Sequence, residues 1–214
     1  MPRPSAPSTP PRASATGRGA RTRAAILEAA TRVFAVHGYR GGSLAAIAGE
    51  AELTQPGVLH HFPSKEHVLM AVLQERDREN VKQLRSGPWH DGGVTALRTL
   101  LGLVEDNAIA RERVQMFTAL VGEGVSAAHP AHDFFVERYA HLRYQLIRAL
   151  QRGQDAGEFR SDVDMAMIAS LVLAAMDGLQ IQWLLDDEET MPPRFAVLLD
   201  MLVTYLAAEP PAPG

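Results

Sequence analysis

Residues 43–62, SLAAIAGEAELTQPGVLHHF, bring together the side chains in this chain best suited to handling a polyanion: hydroxyls at two helix starts, one carboxamide and a pair of imidazoles. Hydroxyls and imidazoles donate to phosphate oxygens, and a glutamine carboxamide pairs with the N6 and N7 edge of adenine. The spacing predicts two short helices joined by a tight turn. Ile47, Leu53 and Val58 would be their buried contacts, and Ala48 is small enough to let them cross closely. The second helix would lie in a major groove with its N-terminal residues nearest the base edges.

Chemistry of other kinds finds little support. Without a cysteine there is no disulfide, thiolate zinc site, iron–sulfur cluster or cysteine nucleophile. No Gly-x-Ser-x-Gly elbow, phosphate-binding glycine loop or His-Glu-x-x-His motif occurs. His60 and His61 are adjacent, so on a helix they do not share a face, which favours phosphate contact over a metal pair. His129-x-x-His132, with Asp133 beside it, has better ligand spacing but falls at a helix start after a loop, where polar residues cap and solvate. No catalytic site, metal site or cofactor is predicted.

The elements that position these residues are helical from Thr22 onward. Ile26, Leu27, Ala30, Val33 and Phe34 form one stripe, and Gly38 stops that helix. Ser43 and Thr54 are N-caps for the next two helices, with Pro56 tolerated in a first turn. Ser64 opens a fourth helix running towards Asn80, and residues 85–93 read as a loop and domain boundary. Helices follow near 94–108, 111–121, 130–152, 164–185 and 193–207. The fold class is all-α with about nine helices. The domains are a basic disordered arm over 1–20, a three-helix DNA-binding domain over 21–80 and a C-terminal domain over 81–214.

Charge divides along the same line. Residues 1–65 hold eight basic and three acidic side chains, a net +5, while the rest of the 214-residue chain carries −9. A basic front on an acidic body suits a protein that meets a polyanion at one end. The composition, 46% hydrophobic and 21% charged, is that of a soluble globular protein. The opening residues lack an apolar signal core, and the run from Ala166 to Met176 is too short to span a bilayer, so a cytoplasmic location is expected.

From Thr22 to Leu73 the chain resembles the TetR family of bacterial transcriptional regulators, through FAVHGY, Leu53-Thr54 and HHFPSKE at these separations. The resemblance implies homodimers that bind a double-stranded DNA operator and release it when a small molecule enters the C-terminal domain. It assigns phosphate contacts to Ser43 and Thr54, and base or thymine-methyl contacts to Gln55, Pro56 and Gly57. His60 and His61 would lie along the DNA backbone, Lys65 would reach a phosphate, and Tyr39 would buttress the domain and touch a phosphate. Two departures stand out. Leu59 replaces the usual tyrosine, so any phosphate bond from that position is lost. Glu52 replaces the glycine common in the turn, where a positive φ is expected.

The 164–185 helix has no polar face, and the last helix is nearly as apolar. Both are expected to pack against their copies in a four-helix dimer interface. Candidate effector contacts are Met116, Phe117, Leu120, Phe134, Phe135, Tyr139, Tyr144, Met176, Gln180 and Trp183, a set that favours a mainly hydrophobic ligand. Two rival classes remain: an all-α enzyme with a site assembled from distant residues, and a small-molecule-binding protein that keeps the fold without reading DNA.

Overall fold

The N-terminal end of the first helix lies several residues earlier than the apolar stripe requires. The computed structural model describes residues 15–207 apart from 187 and 189, and helix α1 spans Ala15–Gly41. Most of the arm expected over 1–20 lies outside the described residues, but 15–20 are helical rather than part of an arm. Ile26, Ala30 and Phe34 are wholly buried, and Gly38 breaks the helix with φ 64°, one turn before Gly41. Helices α2 (Leu44–Glu50), α3 (Gln55–His61) and α4 (Lys65–Ser86) follow. Each is opened by the hydroxyl expected to open it. Ser43 accepts from the Ala46 N–H, Thr54 from the Gly57 N–H and Ser64 from the His67 N–H.

Helix α4 runs six residues past Asn80, and the segment expected as an open loop contains a 3-10 turn, Pro88–Asp91, that buries Trp89. Then come α5 (Gly93–Ala108), α6 (Arg111–Gly124), α7 (His132–Asp155), α8 (Met165–Leu185) and α9 (Met191–Leu206). Among the described residues the sole β-type pairing is an isolated bridge between Phe159 and Ala207. The protein is all-α.

Two hydrophobic cores organise these helices. One joins α1 to α4 and takes in Met116, Phe117 and Leu120 of α6, with Ala131 and Phe135 at the start of α7. The other is built from α5, α7, α8 and α9 around Leu97, Leu150, Val172 and Phe195. The first core therefore crosses the boundary expected at residue 80, and α4 runs unbroken from the helix-turn-helix into the C-terminal part.

Helix α8 has the length expected, 21 residues, and its apolar character continues beyond the Ala166 to Met176 run, with Asp177 inside it. By length and composition it could cross a bilayer, a test that core helices of soluble proteins also pass. It buries Ile168, Ala169, Val172 and Met176 against the second core. Met167, Leu171, Ile181 and Leu185 remain exposed at helical spacing, and so do Val197, Met201 and Tyr205 of α9. These two apolar faces have no covering in one copy of the chain.

Candidate functional site

The turn between α2 and α3 is a Schellman motif. The Leu53 N–H donates to the Ala48 carbonyl at 2.8 Å and the Glu52 N–H to the Gly49 carbonyl at 3.1 Å. That pattern needs a left-handed residue between them, and Glu52 has φ 54°, the lone non-glycine positive φ among the described residues. Ala48, 3% exposed, sits beneath the crossing with Ile47 and Val58, both wholly buried. This packing turns the other side of α3 outward. Ser43, Thr54, Gln55, Pro56, Leu59 and His60 are exposed together, and His61 is half-buried with its ring edge-on to His60 at 5.3 Å. Gly57 is also half-buried, its N–H taken by Thr54 at 3.2 Å. The cap bonds use hydroxyl lone pairs, so Ser43 and Thr54 each keep an O–H to donate.

Lys65 is anchored at the end of α1. Its Nζ donates to the carbonyls of Tyr39 at 2.8 Å and Gly42 at 2.9 Å, and lies 4.2 Å from the Tyr39 ring centroid. The broken end of α1 leaves carbonyls without helical partners, and a cation there also meets the negative end of the helix dipole. One N–H of the ammonium remains beyond these two bonds. The Tyr39 ring packs against Phe34 and edge-on to His129. Its phenol is pushed up in pKa by burial and by Glu66.

The same break in α1 is tied to α6 through a contact that sequence reasoning missed. Glu123 Oε1 accepts the Tyr39 N–H at 3.0 Å and Oε2 the Arg40 N–H at 3.2 Å. Gly38 makes room for this, since a Cβ there would overlap the Glu123 carboxylate. His129 stands behind the carboxylate with its side chain fully buried, Nε2 being 3.5 Å from Glu123 Oε2. Its Nδ1 accepts the Ala131 N–H at 3.2 Å, which leaves the proton on Nε2, facing Glu123. Burial lowers its pKa against the opposing pull of Glu123. His132 bonds the Gly124 carbonyl instead, so the two imidazoles do not converge.

A cavity of about 590 Å³ lies among α4 to α8 and the 3-10 turn. Of the expected contacts, Phe117, Phe134, Tyr139, Met176 and Gln180 line it. Met116, Leu120 and Phe135 do not; they are buried in the first core, where α6 and α7 meet the DNA-binding helices. Tyr144 points to solvent on the outer face of α7. Trp183 is buried in the second core, with Arg111 across its ring. Composition alone could not tell a core aromatic from a cavity aromatic. The walls also include Arg76, Asp77, Arg138 and Asp177, so the cavity is less purely hydrophobic than expected. On a sequence these four read as ordinary polar positions of amphipathic helices, although Asp177 inside an apolar run was a visible signal.

Comparison with known proteins agrees with this geometry. Residues 26–72 match the model for bacterial regulatory proteins of the tetR family, and 95–209 that for the C-terminal part of BetI-type transcriptional repressors. The chain is 25% identical over 167 residues to the A-factor receptor protein of Streptomyces griseus, covering 77% of this chain but 55% of that longer relative. It is 25% identical over 154 residues to the transcriptional repressor AcnR of Corynebacterium diphtheriae, covering 72% and 76% of the two chains. Among solved structures, a SmeT–triclosan complex superposes with a TM-score of 0.74 at 21% identity, covering 91% of this chain and all of the other. At that identity the likeness is one of fold.

Proposed function

Because the chain belongs to the TetR family of bacterial transcriptional regulators, we propose that it is a cytoplasmic, non-enzymatic repressor that grips its operator as a homodimer and releases it when a small molecule occupies the cavity. The observation that carries this reading is the continuity of α4. One end follows directly on α3 through the Ser64 cap, and further along Arg76 and Asp77 form part of the cavity wall. Helix α6 makes a second link, with Phe117 at the cavity and Glu123 holding the break in α1. A ligand that displaces either helix would tilt α3. In a dimer the two copies of α3 must meet half-sites about 34–36 Å apart, or a multiple, so a small tilt suffices for release.

On the DNA side, Gln55 is the reader of base edges, with Pro56 and the backbone at Gly57 close to it. Ser43, Thr54, His60, His61 and the remaining Lys65 N–H address phosphates, while Tyr39 holds the end of α1 in place. The dimer forms through the exposed apolar faces of α8 and α9. The names of the relatives, a receptor and a repressor, and the triclosan complex of a structural neighbour support a ligand-responsive repressor.

Fluorescence anisotropy with DNA from upstream of the chain's own gene tests the reading. Affinity should fall steeply with salt, the mark of phosphate contacts. Gln55→Ala should relax preference at one base pair at a cost of about 1–3 kcal/mol. Equal weakening on every sequence would remove Gln55 from base reading.

A further inference from the structure

Arg85, His90, Glu137 and His141 line the exposed part of the cavity, whereas Arg76, Asp77, Arg138 and Asp177 are buried or half-buried, and the pairing of these four is uneven. Arg138 Nε donates to Asp77 Oδ1 at 2.7 Å. Asp177 Oδ2 accepts the Tyr139 hydroxyl at 2.7 Å, and burial pushes its carboxyl above the usual range despite that bond and the two nearby arginines. Arg76 has no such partner. It is 6% exposed, its Nη1 is buried without a hydrogen bond, and its guanidinium lies 3.6 Å from the Phe117 ring centroid. Burial, and then Arg138, pull its pKa down to about 9 against the opposing pull of Asp77 and Asp177, neither of which it hydrogen-bonds, so it still carries its charge at neutral pH. A buried cation short of acceptors is costly unless an anion comes to it.

We propose that the cavity takes an amphipathic monoanion, a carboxylate or similarly compact oxyanion on an apolar body, with the charged end on Arg76. This rests on the reading of the cavity as an effector site. Leu84, Trp89, Leu100, Leu103, Leu146 and Met176 supply the apolar walls for the body. The volume of about 590 Å³ is that of a site for a small organic ligand. A guanidinium presents a planar fork of donors that matches a carboxylate. Away from Glu137 at the exposed side, a cationic ligand would instead have to compete for two carboxyl groups that are already bonded, one of them biased by burial towards its neutral form.

Calorimetric titration of the full chain with decanoate, 1-decanol and decylammonium separates the cases, since the three share a tail and differ in head charge. Decanoate should bind the wild-type protein about tenfold tighter than either of the others. Arg76→Met should abolish that advantage while leaving decanol affinity nearly unchanged, and Arg76→Lys should retain part of it. If Arg76→Met does not fold, the order of the three probes on the wild-type protein decides the matter. Decanol or decylammonium binding as tightly as decanoate, or an advantage that survives in Arg76→Met, overturns the anion site and leaves the effector cavity standing. Binding of none of the three removes the effector cavity, and the anion site with it.

Discussion

At Glu52 a side chain occupies a conformation that glycine adopts freely. With φ 54° in the turn between α2 and α3, its Cβ costs about 1–2 kcal/mol. Glycine would relieve that strain but add unfolded-state entropy worth about 0.5–1 kcal/mol. Glu52→Gly should therefore stabilise the protein by a fraction of a kcal/mol to about 1 kcal/mol. Denaturant melts at unchanged m-value should show a higher midpoint; a lower one means the strain is absorbed elsewhere. The substitution also removes a negative charge next to the DNA-reading helix, so operator affinity at low salt should rise.

Between elements, Glu123 of α6 satisfies two backbone N–H groups at the break in α1 and faces the fully buried His129. Glu123→Ala would leave the half-buried Tyr39 N–H without its acceptor, at a cost of about 1–3 kcal/mol. It would also take away the one carboxylate that holds α6 to this part of the DNA-binding helices. Chemical denaturation should show the lower stability, and ligand titrations of the DNA complex should show a weaker response to effector. A variant with unchanged stability and an unchanged dose-response would demote this contact to a surface ornament.

For the whole molecule the open question is what covers α8 and α9. Leu171 is 56% exposed and Met201 66%, in faces that also hold Met167, Ile181 and Val197. A second copy related by a two-fold axis would cover them, since such an interface is self-complementary. Leu171→Glu should yield monomers in sedimentation velocity and weaken operator binding, because one reading head cannot span two half-sites. An intact dimer for this variant would place the interface elsewhere.

Local rules made much of this protein legible before folding. The three hydroxyl caps at Ser43, Thr54 and Ser64, the helix break at Gly38 and the left-handed turn at Glu52 all depend on a few consecutive residues, whose backbone bonds are short-range. The exposed side of α3 followed from its period, its buried Val58 and the crossing with Ile47 and Ala48 of α2. The cavity did not follow in the same way. Phe117 belongs to the first core and also lines the cavity, whereas Met116 and Leu120 on the same helix do not reach it, and Trp183 is core although Gln180, one turn earlier, reaches the wall. Those differences depend on how α4, α6, α7 and α8 cross, which helical periodicity leaves undetermined. The placement of Arg76 over Phe117, and the meeting of Glu123 with a backbone more than 80 residues away, exist only once the helices have packed.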